Sequence, residues 1–177
     1  MNRPRRVRVV GDSGAGKTTF ARALATRLGV PHAELDEVFW QENWQHRDSD
    51  EARAILRAFL DGPGAGGWVV DGNWNAKVAD LLDGADTIVW LDFSRPVVMG
   101  RIVRRTIGRG LTGRPIWHGN RERLTSLFRR TPEDNIVLWA WVSHAKYRAE
   151  YAEWARRDDC VVRLGSPRAA QAWLAAL

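Results

Sequence analysis

The residues best suited to chemistry form an eight-residue, glycine-rich segment near the N-terminus. Its sequence, Gly11-Asp12-Ser13-Gly14-Ala15-Gly16-Lys17-Thr18, matches the pattern G-x-x-x-x-G-K-[ST]. Glycines let the backbone curl so that several N–H groups point at phosphate oxygens, and a following helix adds the partial positive charge of its N-terminus. In this pattern the lysine bridges the β- and γ-phosphates of a nucleotide, and the hydroxyl holds Mg²⁺. The expected phosphate-binding residues are Gly11, Ser13, Gly14, Ala15, Gly16, Lys17, Thr18 and Thr19.

Three aspartates stand where predicted strands end. Asp71 follows Trp68-Val69-Val70, Asp92 follows Val89-Trp90-Leu91, and Asp36 follows a short run at 31–35. Ligands of open α/β sheets bind beyond the carboxyl ends of the strands, so these side chains can face the phosphates. We expect Asp71 on the Mg²⁺ side, because Gly72 and Asn73 allow close approach, and Asp36 as a base toward an acceptor hydroxyl. The alternative for each is a cap on the next helix, which we favour for Asp92.

Positive charge is concentrated in one stretch of the chain. The net charge is +6, yet the stretch from Arg95 to Arg130 holds ten arginines and a single acid, Glu122. A local excess of this size calls for an anionic ligand, either a phosphate cluster or a nucleic-acid backbone. The alternative is a solvated basic face.

The elements that must position these residues alternate between strand and helix. Strands are predicted over 6–10, 31–35, 68–70, 87–91 and 160–164. A helix is predicted over 17–28, and a second helix is predicted to begin at the capping pair Asp48 and Glu51. Further helices are predicted over 76–82, 96–107, 120–130, 133–156 and 167–177, with a mobile glycine-rich loop at 108–120. This alternation predicts an α/β fold with a parallel sheet covered by helices on both faces.

Composition sets the wider bounds. A length of 177 residues suits a single domain, and 45% apolar with 27% charged residues is an ordinary globular mixture. We expect no membrane span and no signal peptide, because the longest apolar stretch is interrupted by charge and the N-terminus lacks an apolar core. The lone Cys160 cannot form an internal disulfide, which favours a reducing cytoplasm, and its place at a strand start favours burial.

Ten tryptophans are a large number for this length. Four of them lie on apolar faces and are predicted to be core: Trp90, Trp139, Trp154 and Trp173. Three others flank Asp36 and Asp71 in polar surroundings: Trp40, Trp44 and Trp74. These three can form an aromatic wall for an acceptor, or they can pack a mobile segment against the sheet. The histidines lack metal-ligand spacing, and His144 is predicted to be a satisfied core residue.

A family resemblance rests on the order and spacing of five segments. The phosphate loop, LDEVFW (35–40), WVVDGNW (68–74), TIVWLDFSRP (87–96) and RIVRR (101–105) together resemble the small P-loop kinases of the adenylate kinase and shikimate kinase type. The chain is most similar to the bacterial group often labelled "DNA topology modulation protein". The resemblance implies a three-layer P-loop NTPase fold, with a five-stranded parallel sheet in the order 2-3-1-4-5.

The resemblance also implies site residues within one kinase domain spanning 1–177. It suggests an acceptor-binding segment near 36–60 and an arginine-bearing lid near 101–125. Arg101 and Arg105 would clamp the transferring phosphoryl group, with Arg109 and Arg148 as weaker additions, and Arg168 would border the adenine base. Unlike adenylate kinases, which carry D-G-F-P-R, this chain has Asp71-Gly72-Asn73-Trp74-Asn75 without an arginine, which argues against AMP as the acceptor.

Together these features predict an ATP-dependent kinase that transfers the γ-phosphoryl group of Mg-ATP to a nucleotide-like or hydroxyl acceptor. The expected catalytic residues are Lys17, Asp36, Arg101 and Arg105, the metal site is Thr18 with Asp71, and the acceptor-binding residues are Asp36, Trp40, Trp44, Asp71, Asn73, Trp74 and Arg148. The alternative is a nucleic-acid-binding protein that uses ATP as a switch and the basic 95–130 segment as its contact surface.

Overall fold

A computed structural model describes residues 3–122 and 124–177 of the chain. The strands are β1 (Arg6–Gly11), β2 (His32–Glu34), β3 (Trp68–Asp71), β4 (Thr87–Leu91) and β5 (Val161–Leu164). The helices are α1 (Lys17–Leu28), α2 (Leu35–Phe39), α3 (Ser49–Asp61), α4 (Asn75–Val78), α5 (Arg95–Thr112), α6 (Ile136–Arg157) and α7 (Pro167–Ala175). Short 3₁₀ turns cover Glu42–Trp44, Asp80–Leu82, Leu124–Phe128 and Pro132–Asp134.

The five strands form one parallel sheet in the order β2-β3-β1-β4-β5, as predicted. The central strand β1 is apolar on both faces, since Val7 and Val9 are buried in one layer and Val10 in the other. Such strands are typical of parallel sheets that helices cover on both sides. The result is the three-layer P-loop NTPase fold.

The order of the strands decides which side chains can meet. β3 lies between β2 and β1, and the register pairs Glu34 with Asp71 and Asp71 with Val9. The carboxyl ends of β1, β2 and β3 therefore lie side by side at one edge of the sheet. Residues at these three ends, far apart in sequence, share the space beside the loop that follows β1.

The region after β4 differs most from the prediction. The expected loop at 108–120 is helical through Thr112, because α5 runs unbroken over Gly108 and Gly110 and ends at Gly113. Glycine costs about 1 kcal/mol inside a helix. A Cβ at Gly110, however, would lie 2.6 Å from the Leu124 side chain, so the glycine allows a close contact that a larger residue would prevent.

The predicted helix over 120–130 was wrong, since a 3₁₀ turn at Leu124–Phe128 is the only helical part described there. Asn120 anchors a loop instead of starting a helix, as its side chain donates to the carbonyls of Gln41 and Trp117. The next helix begins at Ile136, capped by Asn135, whose side chain accepts from the backbone N–H groups of Val137 and Leu138.

Three smaller predictions were also wrong. Trp139, predicted to be core, is 36% exposed. Asp92 caps no helix, because it pairs with Arg148 and Arg163 while Ser94 stands at the N-cap of α5. Cys160 is half-buried, just before β5.

Three further predictions are confirmed. His144 is buried, with its Nε2 atom 3.1 Å from the carbonyl oxygen of Phe93. Asp48 caps α3 through the N–H groups of Asp50 and Glu51. In the described part of the chain, the helices lack the length and apolar character needed to span a membrane.

Candidate active site

The phosphate loop joins β1 to α1 in a tight curl. The N–H of Ala15 donates to the carbonyl of Asp12 at 3.1 Å, and Gly14 and Gly16 have φ values of +87° and +92°. L side chains rarely adopt this conformation, and a Cβ at Gly14 would also lie 2.9 Å from the Val98 carbonyl oxygen. These positions therefore require glycine, which explains the sequence pattern in steric terms.

Two hydrogen-bond networks fix the loop from outside. The Asn73 amide donates to the carbonyl of Gly11 at 2.8 Å, and Tyr151 on α6 donates its hydroxyl to Asn73 at 3.0 Å. Ser143, also on α6, donates to the carboxylate of Asp12 at 3.0 Å. Helix α6 therefore holds both the start of the loop and its second residue.

Lys17 begins α1 and lies among three carboxylates. Its Nζ donates to the carbonyl of Asp12 at 3.1 Å. Burial lowers the pKa of Lys17, while the charges of Asp36, Asp71 and Asp12 oppose that shift. A buried cation facing several carboxylates is suited to neutralise phosphate groups that enter between them.

The Thr18 hydroxyl lies between two buried carboxylates. It is 2.8 Å from Asp71 Oδ2 and 3.0 Å from Glu34 Oε1. Burial raises the pKa of Glu34, and the neighbouring charge of Asp71 raises it further. One hydroxyl hydrogen can serve only one of these two acceptor oxygens at a time. The other oxygen of Glu34 pairs with the largely exposed Arg22 at 3.2 Å.

Mg²⁺ fits this donor set, because it binds hard oxygen ligands and usually keeps waters and substrate phosphates in its shell. Among residues 3–122 and 124–177, no cluster of three or more His, Cys, Asp or Glu is arranged to hold a metal ion alone. Thr18 with Asp71 or Glu34 would therefore need phosphate oxygens to complete the shell, as expected where the ion arrives with a nucleotide.

Glu34 and His32 are candidate site residues that the sequence analysis does not include. Glu34 ends β2, two residues before Asp36. The His32 Nε2 atom is 2.6 Å from Asp71 Oδ1, which orients that carboxylate from the side away from Thr18. The rule used for Asp71 selects Asp36, because the predicted strand runs over 31–35, whereas β2 ends one residue earlier, at Glu34.

Asp36 lies within electrostatic reach of Lys17. Asp36 belongs to the first turn of α2 and accepts a hydrogen bond of 2.8 Å from Trp74 Nε1. Burial raises the pKa of Asp36, and the charge of Lys17 is the largest effect opposing that rise. The structure thus brings together Lys17, Asp36, Asp71 and Trp74.

The tryptophans near Asp36 pack on one another. Trp74 stacks on Phe39 at 4.3 Å between ring centroids, and Trp40 meets both Trp44 and Trp74 edge-on. Trp44 in turn meets Trp117, which follows α5. The cluster joins the 36–46 segment to the 113–122 segment. This favours the packing alternative and leaves the exposed edge of Trp44 free to face an acceptor.

The predicted arginines occupy different places. Arg101 donates to the carbonyl of Ala15 at 2.8 Å, directly on the phosphate loop. Arg105, one turn further along α5, lies near Glu122, and its charge acts on both Lys17 and Asp36. Arg109 pairs with Glu122 at 2.7 Å. The α5 arginines therefore line one side of the site.

The remaining predicted residues have other contacts or are exposed. Arg148 pairs with Asp92 at 3.0 Å, Arg168 is exposed at the start of α7, and Thr19 is exposed on α1. The side chain of Asn73 is engaged with Gly11 and Tyr151, as described above. The structure does not bring Arg148 or Arg168 into the Lys17–Asp36 group.

Comparison with known proteins points to kinases. The chain is 28% identical to a shikimate kinase of Bradyrhizobium diazoefficiens over 162 residues, covering 75% of this chain and 76% of the relative. It is 35% identical to an adenylate kinase of Anaeromyxobacter dehalogenans over 78 residues, which cover 44% of this chain but only 34% of that protein. No protein-family model matches the chain.

A solved structure described as a sugar kinase from Janibacter sp. HTCC2649 is 24% identical to this chain. The match covers 58% of this chain and 68% of the sugar kinase chain, and its TM-score of 0.40 is too low to support an argument. Together with the phosphate loop, the curated relatives support a P-loop kinase acting on a small molecule. They do not confirm the narrower resemblance to the "DNA topology modulation" group, and they give no support to the nucleic-acid alternative.

Proposed function

We propose that this protein transfers the γ-phosphoryl group of Mg-ATP to a hydroxyl group of a small molecule. The observation that carries the proposal is the placement of Lys17, held on the phosphate loop by the Asp12 carbonyl, within electrostatic reach of the half-buried carboxyl of Asp36, held by Trp74. One group faces the donor phosphates and the other faces the space next to them. Phosphoryl transfer needs this arrangement of positioned charges more than it needs covalent catalysis.

The loop would bind the donor. Backbone N–H groups between Gly11 and Thr18, together with the N-terminus of α1, would surround the β-phosphate, and Lys17 would bridge the β- and γ-phosphates. Thr18 with Asp71 or Glu34 would hold Mg²⁺, which supplies charge neutralisation on the phosphate oxygens when bound. His32 would keep Asp71 oriented toward that position.

Asp36 would act on the acceptor. The acceptor oxygen attacks the γ-phosphorus, its proton passes to Asp36, and the bond from the γ-phosphorus to the bridging oxygen breaks to release ADP. The raised pKa of Asp36 makes it a better proton acceptor than an ordinary exposed aspartate. The hydrogen bond from Trp74 Nε1 would hold the carboxylate in place.

A hydroxyl acceptor agrees with the charges of the acceptor segment better than a phosphate acceptor does. Arg47 pairs with Glu51 at 2.5 Å, and Arg53 binds both carboxylate oxygens of Asp80. These two arginines already have local partners. Of the three arginines in the 36–60 segment, which the structure describes throughout, the exposed Arg57 on α3 is the one left for an acceptor phosphate. A nucleotide-like acceptor remains the second candidate of the same class, and the tryptophans of the 36–46 segment would be its base-binding surface.

Arg101 and Arg105 would neutralise the charge that spreads over the phosphoryl oxygens during transfer. Arg101 already contacts the loop, and Arg105 lies one turn along the same helix. We propose the region near 101–125 as a lid over the donor and the region near 36–60 as the acceptor-binding segment of a single kinase domain. Closure over bound substrates would exclude water and limit wasteful hydrolysis of ATP.

A transfer screen tests the proposal. Purified protein with Mg-ATP is incubated with separate pools of hydroxylated metabolites, nucleosides and nucleoside monophosphates, and mass spectrometry detects products heavier by one phosphoryl group. The proposal predicts a phosphorylated product from a hydroxyl-bearing pool. Product from the monophosphates alone would favour the nucleotide-like acceptor, and ADP formation without product in every pool would contradict the proposal.

A further inference from the structure

Glu122 is an acidic residue in a strongly basic part of the sequence. It is the single acid between Arg95 and Arg130, a stretch with ten arginines. In the fold its Oε1 atom lies 2.7 Å from Arg109 Nη1 and 3.7 Å from Arg105 Nη2, and its side chain is only 10% exposed. The two arginines are four residues apart on α5 and therefore share one face of the helix. One largely buried carboxylate thus serves two neighbouring guanidinium groups.

The charge of Arg105 also reaches the proposed reaction space. Burial is the main cause that lowers the pKa of Lys17, and the charge of Arg105 lowers it further. Burial raises the pKa of Asp36, and the charge of Arg105 is among the effects that oppose the rise. Arg105 therefore lies within electrostatic reach of both residues that would flank the transferred group.

The segment that carries Glu122 is anchored on both sides. Asn120 is buried, accepts from the N–H of Trp44 at 2.9 Å and donates to the Gln41 carbonyl at 2.7 Å. On the other side, Leu124 packs into the space that Gly110 leaves on α5. Glu122 lies between these two anchors, so its carboxylate has a fixed position relative to α5.

We propose that Glu122 is a positioning residue: it holds Arg105 directed at the space between Lys17 and Asp36, where the phosphoryl group would pass. This inference rests on the proposed function. Without Glu122, the charges of Arg105 and Arg109 would repel each other and that of nearby Arg101, and long arginine side chains regain entropy by moving into solvent. A fixed guanidinium stabilises developing charge without reorganising during the reaction.

An opposite role makes a different prediction. If Glu122 neutralised Arg105 as a restraint, its removal would free the guanidinium and accelerate ADP formation. If it positions Arg105, its removal slows turnover while ATP binding changes little, because a positioning effect acts on the transition state. The sign of the change in kcat therefore separates the two roles.

The experiment compares Glu122→Gln with wild type. Turnover is measured as ADP formation from Mg-ATP with the hydroxylated metabolite pool present, and binding is measured by calorimetry with Mg-ATP. The matched control is Glu153→Gln, since Glu153 also contacts two arginines, Arg156 and Arg157, but on the exposed end of α6. We expect kcat to fall on the order of tenfold in E122Q, with less than a threefold change in the Kd of Mg-ATP, and E153Q to match wild type.

A double variant tests that Glu122 acts through Arg105. Arg105→Ala with Glu122→Gln should be no slower than Arg105→Ala alone, because the partner is already absent. Glu122→Asp keeps the negative charge, so its kcat should lie between those of E122Q and wild type. If E122Q folds poorly, the fall in kcat of Glu122→Asp relative to wild type is measured in its place. Wild-type turnover in E122Q, faster turnover, or fully additive losses would each overturn the inference while leaving the kinase proposal intact. An inactive wild type would overturn both.

Discussion

Replacing Asp36 with asparagine should make the protein more stable and less active. The amide is nearly isosteric with the carboxylate, and its oxygen can still accept the 2.8 Å hydrogen bond from Trp74 Nε1. The substitution removes a half-buried negative charge and its repulsion with Asp71, and it also removes the attraction of that charge to Lys17 and Arg105. The raised pKa of Asp36 shows that burial and repulsion outweigh that attraction.

The sign of the pH dependence follows from the direction of the shift. Because the pKa of Asp36 is raised above its ordinary 3.8 on folding, the folded state holds this proton more tightly than the unfolded state. The free energy of unfolding of the wild type therefore falls as the pH rises from 3.8 through the pKa of Asp36 in the folded state. Asp36→Asn has no carboxyl at this position, so its free energy of unfolding does not include this decrease. Relief of such a site stabilises proteins by about 0.5–2 kcal/mol. For a chain of this length 1 kcal/mol corresponds to roughly 2–4 °C in Tm.

The assay is urea unfolding of both proteins at pH 4.5 and pH 8, alongside phosphoryl transfer at pH 8. We expect the stability advantage of D36N to be larger at pH 8, and transfer to fall by about 10²- to 10⁴-fold as the proton acceptor is lost. Asp80→Asn is the control of opposite sign, because Arg53 lowers the pKa of Asp80 to about 2 and its loss should destabilise the fold at pH 8. A D36N protein that is less stable than wild type at pH 8, or equally active, would refute this reasoning.

Two further predictions concern the donor side. Lys17→Ala should lower phosphoryl transfer by about 10²- to 10³-fold or more. Circular dichroism should show an unchanged fold, since Lys17 donates a single hydrogen bond to a backbone carbonyl. The control is Lys146→Ala at an exposed position, and unchanged turnover in Lys17→Ala would refute the assignment. Arg105→Ala should lower kcat more than it weakens Mg-ATP binding, whereas its exposed neighbour Arg104→Ala should change neither greatly; a pure loss of affinity would argue against a transition-state role.

Local patterns predicted the elements around the phosphate loop well. The phosphate loop, α1 and β4 each depend on contiguous residues, and the structure gives α1 and β4 the predicted bounds, Lys17–Leu28 and Thr87–Leu91. The sheet order followed from the resemblance to P-loop kinases. These elements share a property: their neighbours in space agree with their local preferences, so propensity and packing point to the same structure.

The structure of the region near 101–125 could not be predicted in the same way, because contacts with residues distant in sequence determine it. The Leu124 side chain fills the space beside Gly110, where a Cβ would clash. Asn120 anchors a loop through hydrogen bonds to Gln41 and Trp44, which lie more than seventy residues away in the sequence. Glu34 is drawn beside Thr18 by the pairing of β2 with β3. Each depends on a contact that the sequence does not mark, so patterning alone favoured a loop, a helix and a different carboxylate.

The most direct test of the account is titration calorimetry of wild-type protein with ATP in the presence of Mg²⁺, at two temperatures so that a small binding enthalpy at one of them does not hide the signal. The account predicts one Mg-ATP per chain, with Kd between about 1 μM and 1 mM, and much weaker binding when Mg²⁺ is replaced by a chelator. Folded protein that takes up no Mg-ATP at millimolar concentration at either temperature would contradict the assignment of residues 11–18 as a triphosphate site, and with it the proposed reaction.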